Sequence, residues 1–292
     1  MSIIDKAMKK LQEKQEKEGG TKPGAVASHI TPKIRATKYK AKIENSGIDQ
    51  CRLHIDRKQL INAGLSISTA DGSLTVDNAF RRIKRPILAN AFGKESTLVE
   101  NGNIVMICSS LPGEGKTFNA INLAMSIAIE LDKTVLLVDA DLPKRTTSKL
   151  FDLEGEAGLT DVLVGDEKLS DVVVSTDLPD FKIIPAGKKH THGTELLASD
   201  KMFNLIEELA HRYPDRVIIF DTPPLLITSE AQVIAGLAGQ VVLVIEADRT
   251  LKHDVEEAVN MLDKSKPIGL VLNKTQTSSG SDYYGDSPYG NY

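Results

Sequence analysis

The chain contains a glycine-rich turn that ends in a lysine and a threonine, at residues 109–117 (Ser-Ser-Leu-Pro-Gly-Glu-Gly-Lys-Thr). Backbone N–H groups of such a loop surround an anion, and the helix that follows adds a favourable dipole. Lys116 would reach the β- and γ-phosphates of a nucleotide, and the Thr117 hydroxyl would bind Mg²⁺. The predicted nucleotide contacts are Pro112, Gly113, Glu114, Gly115, Lys116, Thr117 and Phe118.

The elements around this turn are those that a phosphate-binding loop requires. An apolar run, residues 104–108, predicts a strand before it, and residues 118–130 predict a helix after it. Ser110 stands where the common pattern has a glycine, so the first turn must be one that a residue with a side chain can adopt. The alternative is a chance Gly-Lys-Thr in a surface turn.

Two further apolar runs end in carboxylates. Residues 135–138 lead to Asp139 and Asp141, and residues 217–220 lead to Asp221. Continuous apolar runs are typical of parallel strands buried on both faces, whose carboxyl ends form the ligand-binding edge of the sheet. Asp221 is placed to hold Mg²⁺. Asp139 and Asp141 would point to opposite faces unless the chain turns between them. The alternative for each acid is a helix N-cap.

Together these motifs resemble those of the bacterial tyrosine kinases, in which they are called Walker A, Walker A′ and Walker B. The resemblance covers nearly the whole chain and is strongest to tyrosine autokinases associated with exopolysaccharide and exosortase loci. It implies ATP and Mg²⁺ as cofactors. The expected catalytic residues are Asp139, Asp141 and Lys116: Asp139 would accept the tyrosine proton, and Asp141 would help to place Mg²⁺. The predicted metal ligands are Thr117, Asp141 and Asp221.

The last ten residues hold four of the six tyrosines of the chain: Tyr283, Tyr284, Tyr289 and Tyr292. Their Gly, Ser and Asp neighbours cannot bury enough apolar area to fold, so the segment predicts a flexible tail. Beside the kinase motifs, these tyrosines are the expected phosphate acceptors. The alternative is a disordered end with incidental tyrosines.

The resemblance also implies partners. Residues 78–88 are similar to a segment that the family uses in ring assembly, with Asn78 in place of a glutamate and with Arg81 and Lys84 available. We therefore expect a ring-type homo-oligomer and a membrane-bound polysaccharide co-polymerase that activates it. After Asp141, relatives often carry an arginine where this chain has Pro143, and Lys144 or Arg145 could substitute for it.

Composition limits the other function classes. The net charge is −4, although residues 1–58 carry 14 Lys and Arg against 7 Asp and Glu, so the acidic remainder argues against nucleic-acid binding. Cys51 and Cys108 predict no disulfide framework. Because no apolar run is long enough to span a bilayer, we expect a cytoplasmic protein that reaches the inner face of the membrane through a partner.

The whole pattern predicts an α/β fold: a doubly wound, mostly parallel sheet of the P-loop NTPase type, with a helical N-terminal extension and a flexible tyrosine-rich tail. The expected divisions are an amphipathic helix (1–20), a linker with a small segment (21–74), the kinase domain (75–274) and the tail (275–292). The N-terminal helix would dock on protein or anionic lipid, or it is a solvated end.

Three further positions leave alternatives open. Asn273, at the end of the last predicted strand, either contacts the nucleotide base or lies in a simple turn. His190 and His192 suggest a metal site, but no cysteine or acid lies at supporting spacing, which favours a polar loop.

The main rival function is a nucleotide-switched P-loop ATPase of the partitioning or septum-placement type. Such proteins carry an additional lysine early in the loop, where this chain has Leu111, and they lack a tyrosine tail. A third hypothesis is that the protein is a scaffold that binds ATP without transferring phosphate.

Overall fold

The computed structural model describes residues 37–39, 52–55, 65, 74–94, 96–178, 180–213 and 215–275. The predicted amphipathic helix (1–20), Cys51 and the four tail tyrosines lie outside these residues.

The described strands form two sheets. β1 (Thr37–Tyr39) and β2 (Arg52–His54) pair antiparallel. The larger sheet has seven strands in the order β5-β6-β4-β7-β3-β8-β9. Every neighbouring pair in it is parallel except β5 with β6. Its strands are β3 (Ile104–Ser109), β4 (Thr134–Asp139), β5 (Val174–Ser175), β6 (Phe181–Ile184), β7 (Arg216–Asp221), β8 (Gln240–Glu246) and β9 (Ile268–Asn273).

Helices connect the strands and cover both faces of this sheet. They are α1 (Leu74–Phe92), α2 (Lys116–Ala128), α3 (Thr146–Leu150), α4 (Leu159–Val164), α5 (Leu169–Val172), α6 (Gly193–Leu197), α7 (Asp200–Arg212), α8 (Ser229–Leu237) and α9 (Lys252–Asn260). The predicted doubly wound, mostly parallel α/β fold is confirmed. Among the described residues no helix is both long and apolar enough to cross a membrane.

The core lies on both faces of the sheet because successive strand residues point to opposite sides. Along β3, Ile104, Met106 and Cys108 belong to one cluster, while Val105 and Ile107 belong to the other. All five are fully buried. The continuous apolar run that predicted this strand is therefore explained by burial on two faces.

One predicted helix is two helices in the structure. The apolar periodicity of residues 195–212 predicts one continuous helix, but α6 ends at Leu197 and α7 begins at Asp200. Between them Ser199 has an extended backbone, and its side chain accepts a hydrogen bond from Met202 N at 3.4 Å. Serine favours this N-cap position over a helix interior, so the break has a local cause.

The N-terminal segment is attached to the edge of the large sheet beside β5. Asp177 N donates to Leu53 O at 3.0 Å, and Ile55 N donates to Asp177 Oδ1 at 3.2 Å. Leu53, Ile55 and Leu65 are buried in the core. These three apolar side chains attach part of the predicted small segment (21–74) to the core.

The position of Lys84 contradicts its predicted availability for ring assembly. This lysine was expected to be available for contacts between subunits, but it is buried, donates to Ser126 O at 2.7 Å and pairs with Glu130. It joins α1 to α2 within one chain. Arg81 is exposed.

The strand order creates a crevice at the carboxyl edge of the sheet. β3 lies between β7 and β8, and the chain leaves β3 toward β4 but later crosses to β8 on the other side. Ligands of open α/β sheets bind at such a point of reversal. The ends of β3, β4, β7 and β9 therefore carry the candidate site.

Candidate active site

The loop between β3 and α2 has the backbone that its glycines predict. Gly113 has φ +91° and Gly115 has φ +96°, a region that favours glycine. No other loop residue has a positive φ, so Ser110 makes the first turn without a glycine. At the start of α2 the first N–H groups lack partners within the helix, which suits an anion.

Residues distant in sequence hold this loop in place. Glu114 Oε2 accepts a hydrogen bond from Leu111 N at 2.8 Å, and Glu114 Oε1 accepts one from the Thr250 hydroxyl. Asn273 Nδ2 donates to Glu114 O at 2.9 Å, and Lys274 Nζ donates to Gly113 O at 2.7 Å. The predicted nucleotide residues Glu114 and Asn273 thus contact each other. Contact of Asn273 with a base stays a prediction.

The side chains at the two ends of the predicted nucleotide segment differ in exposure. Pro112 is exposed. Phe118 is half-buried, and its ring lies 6.3 Å from that of Phe80 on α1. Lys116 and Thr117 are buried in the first turn of α2. The buried polar side chains of this segment are therefore Glu114, Lys116 and Thr117.

The predicted carboxylates meet around Lys116. Lys116 Nζ lies 2.9 Å from Asp141 Oδ2. Asp139 and Asp221 end the neighbouring strands β4 and β7 in register with each other. All three acids are at most 1% exposed. Asp141 is buried with Asp139 because the chain turns after β4, where Asp141 N donates to Asp139 Oδ1 at 3.3 Å.

Two hydroxyl residues of α3 fix the carboxylates, and the motifs in the sequence predict neither. Asp139 Oδ2 accepts hydrogen bonds from Ser148 N at 2.7 Å and from Ser148 Oγ at 2.6 Å. The Thr147 hydroxyl donates to Asp221 Oδ2 at 2.8 Å. The available signal was the run of hydroxyl residues at 146–148, directly after the second acidic motif.

Burial and mutual repulsion change the proton affinities of these acids. Burial raises the pKa of Asp139, and the nearby charge of Asp221 raises it further, while the Ser148 bonds oppose the shift. Burial also raises the pKa of Asp221, against the opposing effects of Lys116, Thr147 and Thr117. The site therefore holds carboxyl groups that bind protons more readily than in water.

Lys116 remains a cation in this environment. Burial alone would lower its pKa, but the charges of Asp221, Asp141 and Asp139 outweigh burial, so the pKa lies above its ordinary value. The charge of one lysine does not balance three buried carboxyl groups, so the site can accept a further cation.

The donor set fits Mg²⁺. Asp221 Oδ1 is buried and accepts no close hydrogen bond from the described residues, and the Thr117 hydroxyl interacts with the same carboxyl group. Among those residues, no group of three or more His, Cys, Asp or Glu side chains could hold a metal. Mg²⁺ usually takes one or two carboxylates together with phosphate oxygens and waters, which these oxygens can supply.

The two predicted loop histidines do not join this cluster. The rings of His190 and His192 lie 5.9 Å apart, and His192 N donates to His190 Nδ1 at 3.2 Å. Both side chains are exposed. The polar-loop interpretation therefore agrees with their surroundings.

The AAA domain family matches residues 102–268. The tyrosine-protein kinase YwqD of Bacillus subtilis (strain 168) is 38% identical over 181 residues, which cover 61% of this chain and 75% of that protein. The tyrosine-protein kinase ptk of Acinetobacter johnsonii is 30% identical over 241 residues, 82% of this chain and 31% of the relative. The solved kinase domain of VpsO has a TM-score of 0.59 at 32% identity, with 72% of this chain and 100% of that domain covered.

The sheet order, the glycine loop and the acids at the same edge define a P-loop nucleotide-binding protein. Within that class, the chain belongs to the bacterial tyrosine kinase family. It spans about a third of the Acinetobacter kinase, of which 31% is covered.

Proposed function

We propose that this protein is an ATP-dependent tyrosine autokinase that transfers phosphate to its own C-terminal tyrosine cluster. The observation that carries the proposal is Lys116 buried among Asp139, Asp141 and Asp221 beside the phosphate loop. Such a cluster supplies what phosphoryl transfer requires, which is positioning and compensation of charge.

In the proposed reaction the tyrosine oxygen forms a bond to the γ-phosphorus of ATP while the bond from that phosphorus to the β–γ bridging oxygen breaks. ADP leaves, and the tyrosine proton passes to a carboxylate. Because a tyrosine hydroxyl has a pKa near 10, it needs such a base at neutral pH. Asp139 suits this role, since its raised pKa favours holding a proton.

The other residues hold the reactants. Backbone N–H groups of the loop and Lys116 would bind the phosphates, and Asn273 through Glu114 would keep the loop in shape. Thr117, Asp141 and Asp221 would hold Mg²⁺. When bound, this ion would neutralise charge on the transferring phosphate.

The acceptor would be the tail of a neighbouring subunit, whose Tyr283, Tyr284, Tyr289 and Tyr292 follow the described residues. Each phosphate adds about 1.5 to 2 negative charges, and the tail would then meet the acidic site with increased repulsion. The modified tail would leave the site and loosen a ring-type homo-oligomer. Light scattering before and after phosphorylation tests this step, and unchanged particle size would contradict it.

By the family resemblance, this phosphorylation would regulate exopolysaccharide synthesis and export. A membrane-bound polysaccharide co-polymerase would activate the kinase and recruit it from the cytoplasm to the inner membrane face. The rival is a nucleotide-switched P-loop ATPase without kinase activity.

Phosphopeptide mapping after incubation with Mg²⁺ and ATP tests the proposal. The wild type is compared with Lys116→Met and with a chain whose four tail tyrosines are changed to Phe. We expect tail phosphotyrosine in the wild type alone. ATP hydrolysis with no phosphotyrosine, even after addition of candidate activator segments, would support the rival ATPase.

Mixing the two variants tests transfer between subunits. The Lys116→Met chain keeps its tyrosines but lacks the lysine, and the Phe-tailed chain keeps the lysine but lacks acceptors. Phosphate on the Lys116→Met tail in the mixture shows transfer in trans. If each variant stays unmodified in the mixture while the wild type is modified, transfer occurs within one chain.

A further inference from the structure

A cavity of about 350 Å³ opens beside the turn that follows Asp141. Its volume lies at the small end of the range for ligand pockets. Its lining includes Leu142, Pro143, Arg145, Thr160, Lys189 and Glu230. The cavity is separate from the phosphate loop, because none of its lining residues belongs to that loop.

Arg145 is a buried cation in the lining of this cavity. It is 6% exposed, and no described carboxylate lies within ion-pair distance of it. Its Nε donates to Leu142 O at 3.0 Å and its Nη1 donates to Gly187 O at 2.9 Å. A guanidinium group has five N–H donors, and buried charges are normally paired. The group therefore has capacity for an anion.

The turn that accepts the Arg145 hydrogen bond at Gly187 O is itself held by hydrogen bonds. The Thr160 hydroxyl donates to Lys188 O at 2.7 Å, and Lys188 N donates to Asp161 Oδ2 at 3.0 Å. Gly187 has φ +87°, and a Cβ there would lie 2.4 Å from Thr160 Oγ1. The turn beside the cavity is thus hydrogen-bonded and closely packed.

The charges in the lining favour a negative ligand. Arg145 and Lys189 are cations, and the exposed His190 lies beside them. Glu230 is the acid in the lining, and its Oε1 accepts a hydrogen bond from the Thr194 hydroxyl at 2.6 Å. A carboxylate or a phosphate would compensate the guanidinium and form charge-assisted hydrogen bonds.

We propose that this cavity is an anion subsite for the tyrosine-bearing peptide, which holds an oxyanion next to the acceptor tyrosine. The inference rests on the proposed kinase function. Arg145 N donates to Asp141 O at 2.7 Å, so one turn of chain carries both a catalytic acid and the subsite arginine. A peptide that presents a tyrosine to the acids of this site would place a neighbouring residue near Arg145.

The tail has suitable neighbours. Asp282 precedes Tyr283, and Asp286 lies two residues after Tyr284. The oxyanion would be one of these carboxylates, or the phosphate of a first modified tyrosine before the whole cluster is phosphorylated and the tail leaves. Both have the same chemistry toward a guanidinium.

Peptide binding to the full chain tests the subsite without requiring transfer. The probe is a fluorescent peptide of residues 279–292, measured by anisotropy in three forms: native, Asp282→Asn/Asp286→Asn, and that double variant with phosphate on Tyr284. The protein variants are Arg145→Gln and Lys189→Gln. Lys144→Gln is the control, because Lys144 is exposed in the same turn and does not line the cavity.

We expect Arg145→Gln to weaken binding of the native peptide about tenfold and Lys189→Gln to weaken it about threefold, with no change for Lys144→Gln. Neither loss should appear with the unphosphorylated Asn peptide, since its anion is absent. Thermal unfolding checks that Arg145→Gln is folded, and exposed Lys189 provides an independent variant. Recovery of Arg145-dependent affinity by the phosphorylated peptide would identify phosphate as a further source of the anion.

Equal affinity of the wild type for the native and Asn peptides, with no gain from phosphate, would overturn the subsite. A loss in Arg145→Gln that is the same for all peptides would also overturn it, because the arginine would then act only on the fold. The kinase proposal has a separate readout: absence of phosphotyrosine together with anion-dependent binding would reject the kinase and retain the subsite.

Discussion

Lys116 Nζ and Asp141 Oδ2 lie 2.9 Å apart in a pair whose side chains are almost completely buried. Lys116 also compensates the charges of Asp139 and Asp221. The lysine that would bind phosphate therefore also stabilises the acidic site. Removing one partner of a buried pair leaves an uncompensated charge, which is strongly destabilising.

Lys116→Met should therefore lower the free energy of unfolding by about 3 kcal/mol at pH 8. The loss should be smaller at pH 5.5, where the acids with raised pKa take up protons. Denaturant unfolding at both pH values measures it. Lys149→Met is the control, because its 3.8 Å pair with Glu154 is exposed and should contribute under about 1 kcal/mol. Equal losses at the two pH values would contradict this account.

Ser148→Ala should move the acidic limb of the pH profile of tail phosphorylation to higher pH. The hydroxyl donates to Asp139 Oδ2 and lowers the pKa of that carboxyl group, so its removal raises the pKa. We expect a shift of about one pH unit in kcat/KM. Ser170→Ala, which removes an exposed serine bond to Asp171, should leave the profile unchanged. An unshifted limb in Ser148→Ala would argue against Asp139 as the base.

Gly115→Ala should abolish nucleotide binding. The new Cβ would lie 2.1 Å from Asn273 Nδ2, the group that holds the loop. Gly155→Ala is a matched control: its φ of +85° is similar, but nothing lies within 4 Å of the added Cβ. Both variants carry the backbone strain of about 1 to 2 kcal/mol. Isothermal titration with ATP on both variants separates the steric clash with Asn273 from the backbone strain. Similar affinities in the two variants would reject the role of Asn273.

Asp139→Asn should stabilise the protein at pH 8 in the absence of Mg²⁺. The folded-state pKa of Asp139 is raised above its unfolded value, so its stabilising contribution is present at low pH and is lost as pH rises through the folded-state pKa. The uncharged amide of the variant avoids that loss. At pH 4, where Asp139 is protonated, the substitution should change the stability little. The melting temperature at the two pH values measures the effect.

Asp263→Asn provides a control of opposite sign. The Ser265 bonds lower the pKa of Asp263, so its contribution is present above its unfolded pKa and is lost as pH falls. This variant should lower the melting temperature slightly at pH 8. If Asp139→Asn also lowers the melting temperature at pH 8, the repulsion among the buried acids is weaker than we infer.

The continuous apolar strands and the residues after them could be predicted from sequence because both follow local rules. Burial on two faces produces the runs before Ser109, Asp139 and Asp221, and parallel order brings their carboxyl ends together. The break at Ser199 was missed because apolar periodicity continues across it, although the cap itself is local.

The partners of the site residues could not be predicted in the same way. Ser148 meets Asp139 through the path of the short helix α3, and Thr250 meets Glu114 from the turn after β8, the strand beside β3. No periodicity encodes either contact. The buried position of Lys84 depends likewise on how α1 packs against α2, which the surrounding charges do not show.

The hydrogen bond from Asn273 to Glu114 determines when, during synthesis, the phosphate loop can be held in place. Glu114 and its partner Asn273 are 159 residues apart, and Asn273 ends β9, the last strand of the described residues. During synthesis the loop therefore emerges long before the residue that holds it. A nascent chain that ends before β9 would contain the complete glycine motif without Asn273, which holds it. Contacts of this separation form late and slow folding, so competence to bind nucleotide would appear only after β9 has been translated.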